Sequence, residues 1–210
     1  MHFLQRGSPL KAGIIIIFTL LMGLPALLSA QEDDPYDDFW DNYVYELFAP
    51  GDQVFMVSLG IATPTVFYGS SGRINHQISS AGGTGTLVFN YYLSSKMFVG
   101  AEVSGMFLPT IGGSTLYTIP LGARVGTHFI TGRFEFPVAV AAGVVWHTYL
   151  DFGNFSFFAK ASASALYRVS GNWAFGVTAS WYFFPQFTSF SQQNVFGNVM
   201  DINLTARYQF

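Results

Sequence analysis

The chain has 210 residues, of which 50% are hydrophobic, 18% aromatic and only 10% charged, with a formal net charge of −3 and no cysteine. A soluble domain carries about a quarter charged residues, so the composition argues against an ordinary soluble surface, and with it against a wholly disordered chain, a disulfide scaffold and cysteine-ligated zinc. Beyond residue 30 the longest apolar run, Val138 to Trp146, is strand-sized, well under the roughly 20 residues of a membrane helix.

Residues 1–30 read as a secretory signal peptide. Arg6 and Lys11 give a positive start, Ala12 to Leu28 is free of charge, and Ser29-Ala30 offers small residues for cleavage before Gln31. An uncleaved inner-membrane anchor is the alternative, but Pro25 interrupts a stretch already short for a span. Without cysteine the mature chain carries no lipid anchor.

Residues 31–52 form an acidic N-terminal segment, expected in the periplasm. It holds Glu32, Asp33, Asp34, Asp37, Asp38, Asp41, Glu46 and Asp52, and no base. Tyr36, Trp40, Tyr43 and Leu47 recur at helical spacing, with Phe39, Val44 and Phe48 alongside. Asp37 and Asp38 suit the N-cap and first turn of a helix. A short amphipathic helix at the membrane surface or over a barrel mouth is one reading, and a disordered acidic tail the other. The acids lack the glycine and ligand spacing of a calcium loop. From Gln53 onward only seven bases and four acids remain. These bases are scattered singly, which argues against nucleic-acid binding.

Residues 53–210 alternate between apolar and polar with the period of a strand, eight times over. The segments are Gln53 to Ala62, Gly83 to Leu93, Met97 to Leu108, Thr115 to Phe129, Arg133 to Tyr149, Ser156 to Val169, Trp173 to Phe184 and Asp201 to Phe210. Along each apolar face aromatics stand at the ends and aliphatics in the middle, as in Tyr117…Phe129, Phe134…Trp146, Phe157…Tyr167 and Trp173…Phe183. Two aromatic girdles around a lipid-facing band require this sorting by depth, whereas a sandwich core does not. The opposite face is small or polar (Thr84, Thr86, Gly100, Ser104, Gly122, Gly126, Ser162, Ser164, Thr178, Ser180), which suits a narrow lumen packed with side chains.

Links at Ser94 to Lys96, Ile130 to Gly132 and Ser170 to Asn172 are tight. Those at Thr63 to Gly82, Pro109 to Ser114, Leu150 to Phe155 and Pro185 to Asn198 are longer. The expected fold is all-β: an eight-stranded antiparallel up-and-down transmembrane β-barrel, with short periplasmic turns, longer outer loops and both termini in the periplasm.

Residues 53–210 resemble the small eight-stranded bacterial outer-membrane barrels of the OmpW, OmpX and OmpA-barrel type, with a preference for the OmpW-like families. The most specific mark is the end, where Leu204, Ala206, Tyr208 and Phe210 alternate up to a terminal Phe. That pattern is similar to the signal read by the barrel-assembly machinery. The resemblance implies an outer-membrane protein surrounded by lipid, and a conduit by which small hydrophobic molecules enter from outside and leave sideways into the membrane.

Six charged residues take inward positions: Glu102, Arg124, Glu135, Lys160, Asp201 and Arg207, with His128, His147, Arg133 and Arg168 nearer the strand ends. Buried charges must meet partners. Glu102 and Glu135 are therefore expected to pair with Arg124 and Arg207, with Lys160 and Asp201 lying higher. Such a network closes the barrel; a proton or ion path is the alternative. Toward the outer ends the inward residues turn apolar: Met106, Leu108, Leu116, Val145, Phe158, Tyr182 and Phe184. An apolar vestibule above a charged plug suits a hydrophobic ligand, although the same residues could simply pack beneath the loops.

No metal site, cofactor or enzymatic activity is expected. A lipid acyltransferase or deacylase would need a histidine, a nucleophile and a carboxylate converging near the outer leaflet. His76 with Ser79 or Ser80 lacks an acid in its loop, and His147 with Asp151 has no nucleophile beside it in sequence. A structural or surface-interaction barrel with a plugged lumen remains the non-enzymatic alternative to a conduit.

Overall fold

A computed structural model of the chain describes residues 48–69, 72–74, 78, 80–150, 152–186 and 195–210. Residues 1–30, read above as a signal peptide, and the acidic segment as far as residue 47 lie outside these.

Nine strands form the fold: β1 (Gln53–Gly69), β2 (Gly72–Ile74), β3 (Gly82–Tyr92), β4 (Met97–Pro109), β5 (Thr115–Thr131), β6 (Phe134–Tyr149), β7 (Phe152–Arg168), β8 (Trp173–Gln186) and β9 (Val195–Gln209). All pairings are antiparallel, β1 and β3 to β9 follow one another around the sheet, and β9 pairs back onto β1. The result is a closed eight-stranded barrel, with β2 a short addition to the end of β1. Closure leaves no barrel strand with an open edge over its full length, which is how strands cross a bilayer without exposing backbone polar groups.

Alternation does what the sequence requires of it. On β4, even-numbered residues from Phe98 to Leu108 point inward and Val99, Val103 and Phe107 face lipid. Outward aromatics gather at two levels. Phe129, Phe134, Tyr167 and Trp173 lie toward the end that carries the tight turns, and Phe107, Tyr117, Trp146 and Phe157 toward the other. These ends are called the turn end and the loop end below. At the turn end Gly132 has φ +57°, which lets β5 reverse into β6 in two residues.

Three strand limits differ from the sequence reading by more than two residues. β1 continues seven residues past Ala62, because β9 supplies a partner as far as Val195 and a bulge between Pro64 and Phe67 absorbs the proline. β9 likewise begins at Val195 rather than Asp201. The third outer link, read as Leu150 to Phe155, shrinks to Leu150 and Asp151. There Trp146 and Phe155 stack across the hairpin at 6.2 Å and carry the ladder upward, while Leu150 turns the chain at φ +53°.

Candidate functional site

The lumen is layered. At the turn end Glu135 on β6 is fully buried and is reached by three bases. Arg168 Nε donates to its Oε1 at 3.0 Å, and Arg207 Nη2 donates to the same oxygen. His128 Nε2 lies 3.4 Å from Oε2. The other nitrogen of His128 shares a hydrogen bond with the Tyr92 hydroxyl. Phe48, just before β1, stacks on Tyr92 and lies under the Arg207 guanidinium at 5.5 Å. Asp52 braces this approach, accepting from Ala49 N at 2.9 Å and from Gln209 Nε2 at 3.1 Å.

Above this cluster runs a chain of hydroxyls. Ser58 meets Thr205 at 2.8 Å, Thr205 meets Thr178 at 2.7 Å, and Thr178 meets Ser164 at 2.8 Å, so four strands are joined inside the barrel.

A second ionic knot centres on Glu102. Its Oε2 lies 3.3 Å from Arg124 Nη1 and its Oε1 3.0 Å from Lys160 Nζ. The structure thus brings Glu102 to Arg124 and Glu135 to Arg207. Lys160 and Arg124 both stand opposite Ala141 on β6, and Lys160 also joins Glu102. Asp201 is buried on β9 opposite Ser180 and Ala62, and makes no ion pair within 4.0 Å among the described residues. Alternation gives a residue's face, whereas the partner it meets across the lumen depends on register, which is why the contact of Lys160 with Glu102 was not legible in the sequence.

Toward the loop end, Met106, Leu108, Val145, Phe158, Tyr182 and Phe184 fall into one buried apolar cluster with Ala62, Ile78, Ala141 and Val199. Leu116 and Phe67 pack against it. Phe158 finds room because Gly122, opposite Gly143, carries no side chain. Lys160 Nζ approaches the Tyr182 ring at 4.8 Å, and the Tyr182 hydroxyl meets Ser104 Oγ at 3.2 Å, so this cluster rests directly on the upper ionic knot.

The wall here is not uniform. β7 pairs with β8 only up to Ala159↔Phe183, so above that rung, among the described residues, Phe152–Phe158 pairs with β6 alone and Phe184–Gln186 with β9. Pro185 lies in this stretch and has no N–H to offer a ladder. On the lipid face, a hollow of ≈ 570 Å³ extends across β5 to β8 and reaches the foot of the split, where Ala159, Ala161, Trp181 and Phe183 line it.

Sequence reasoning missed one contact. Ser156 Oγ lies 3.3 Å from His147 Nε2, and Thr118 Oγ1 lies 3.1 Å from Nδ1. A nucleophile type therefore does stand beside His147. Both residues are inward positions flanking one hairpin, but their meeting is set by the register of β6 against β7. His76, Ser79 and Asp151 lie outside the described residues, and Ser80 is exposed. At the chain end Leu204 and Phe210 face lipid, Tyr208 packs on Trp173 and Phe210, Ala206 is half-buried, and Phe210 N donates to Gln53 O at 3.0 Å.

A protein-family model matches residues 31–208 of the chain. An uncharacterized protein of Treponema pallidum (strain Nichols) is 25% identical over 144 residues, 63% of this chain; the chain covers 65% of that relative's length. Another uncharacterized protein, from Borreliella burgdorferi, is 26% identical over 153 residues, 62% of this chain and 72% of its own. Among solved structures, Neisserial surface protein A (NspA) is similar with a TM-score of 0.53 and 14% identity, over 75% of this chain and 97% of that one. This last likeness is one of fold.

Proposed function

We propose a transport role, on the premise that this chain belongs to the protein family matched over residues 31–208 and is a small eight-stranded bacterial outer-membrane β-barrel. The barrel is an OmpW-like conduit for small hydrophobic molecules and has no catalytic step. Its loop end faces outward, both termini lie in the periplasm, residues 1–30 are removed on export, and Phe210 with the alternating residues before it directs assembly.

One observation carries this reading: the seven inward apolar residues of the outer strand halves gather into a single cluster seated on the Glu102–Arg124–Lys160 knot. The knot and the Glu135 cluster bar an axial path to apolar solutes, since displacing paired buried charges is costly. The split between β7 and β8 begins at the level of the cluster and supports a sideways exit. The test is uptake of an apolar solute by cells producing the full chain. Leu108→Asp with Phe184→Asp should reduce it to background while the barrel still migrates as a folded species on an unheated gel. Unchanged uptake would sink the conduit.

A surface-interaction barrel is the second reading. The ribbon of β1, β2 and β9 favours it, because β1 runs past the start of β3 and leaves Tyr68 and Arg73 exposed. Loss of a surface contact on deleting this ribbon, with solute uptake absent throughout, would select that reading.

A further inference from the structure

One wall of the apolar half is polar. Thr118 on β5 stands opposite His147 on β6, and Ser156 follows diagonally on β7. The imidazole bridges the two hydroxyls at 3.1 and 3.3 Å, and its ring packs edge-on against Phe184 at 5.5 Å. A neutral imidazole has one donor and one acceptor nitrogen, while a hydroxyl serves in either sense. Ser156 Oγ also donates to the Phe157 carbonyl at 3.4 Å, so the imidazole Nε2–H donates to Ser156 and the free side of this hydroxyl is an accepting lone pair. Thr118 and His147 are buried, but Ser156 is only half-buried, so it is the open end. It also lies above Ala159↔Phe183, on the stretch of β7 that β8 has released.

We propose that Thr118, His147 and Ser156 form the polar recognition element of the vestibule, selecting apolar molecules with one hydroxyl group over plain hydrocarbons. Ser156 touches the ligand oxygen; His147 and Thr118 are positioning residues. This deepens the conduit reading and rests on it. A hydrocarbon seated here leaves that lone pair of the Ser156 hydroxyl without a partner, which costs free energy. An alcohol donates to it. A ladder of purely structural contacts would hold the strands together but would not distinguish two solutes of equal length.

The experiment compares uptake of radiolabelled 1-octanol and octane by Gram-negative cells producing the full chain, using wild type, Ser156→Ala, His147→Leu and the hydrogen-bonding variant His147→Gln. Folding of each is checked by unheated gel migration. The octanol-to-octane ratio should fall about five- to tenfold in Ser156→Ala and His147→Leu, the worth of one hydrogen bond. It should recover in His147→Gln. If both solutes enter and the ratio is the same in Ser156→Ala, His147→Leu and wild type, the recognition element is overturned and the conduit stands. If the wild-type chain admits neither solute, the conduit reading falls and this inference falls with it.

Discussion

The Phe48 ring lies flat on the Tyr92 ring, with centroids 4.1 Å apart and planes within 6°. It also meets His128 at 4.7 Å and the Arg207 guanidinium at 5.5 Å. One residue outside the strands thus covers the Glu135 cluster at the turn end and keeps water from it. Phe48→Ala should destabilise the barrel by about 3–5 kcal/mol, the usual cost of emptying a buried phenylalanine site. Phe48→Leu should recover part of that. Urea unfolding in lipid vesicles reads both, and an unmoved midpoint for the alanine variant would show that the lid contributes nothing to stability.

Glu135 accepts from both Arg207 and Arg168, so removing it leaves the buried Arg207 and the half-buried Arg168 guanidiniums without their shared carboxylate. Glu135→Leu should cost about 3–5 kcal/mol. Adding Arg207→Met removes one of the stranded charges, and the double variant should be more stable than Glu135→Leu alone. A double-mutant cycle measures the difference. Strictly additive losses would mean the pair is not coupled.

Gly122 gives Phe158 its place. A Cβ at Gly122 would stand 2.5 Å from the Ala142 carbonyl oxygen and 2.8 Å from Phe158 Cζ. Gly122→Ala should therefore lose about 1–3 kcal/mol through overpacking. Phe158→Leu added to it should restore only part, because the carbonyl contact stays. Full restoration would assign the strain to the ring alone.

The barrel itself could be read directly from the chain because lipid on one side and a packed lumen on the other impose a period of two on every strand. What escaped has a common cause. β1 beyond Ala62 loses its alternation at Pro64 and is a strand only because β9 runs beside it. The meeting of Lys160 with Glu102, and of Ser156 with His147, depends on register across neighbouring strands. The seven vestibule residues needed no register, because every inward apolar side chain near one end of a narrow barrel is confined to the same small volume.

The split between β7 and β8 can be closed at will. Continuing the ladder from Ala159↔Phe183 sets Phe157 opposite Pro185, both on the lipid side. The chain has no native cysteine, so Phe157→Cys with Pro185→Cys introduces the sole pair. A disulfide between them requires Cα atoms within about 7 Å, a separation reached when the strands come together. If solutes leave through this split, oxidising the pair should cut uptake of 1-octanol to the level of the Leu108→Asp, Phe184→Asp variant, and reduction should restore it. Crosslinking is scored by loss of thiol labelling, and uptake is compared between oxidised and reduced cells. A fully crosslinked barrel that still admits the solute at the reduced rate would rule this exit out, because the bridge fixes the strands at the only height where their ladder is interrupted among the described residues of β7 and β8.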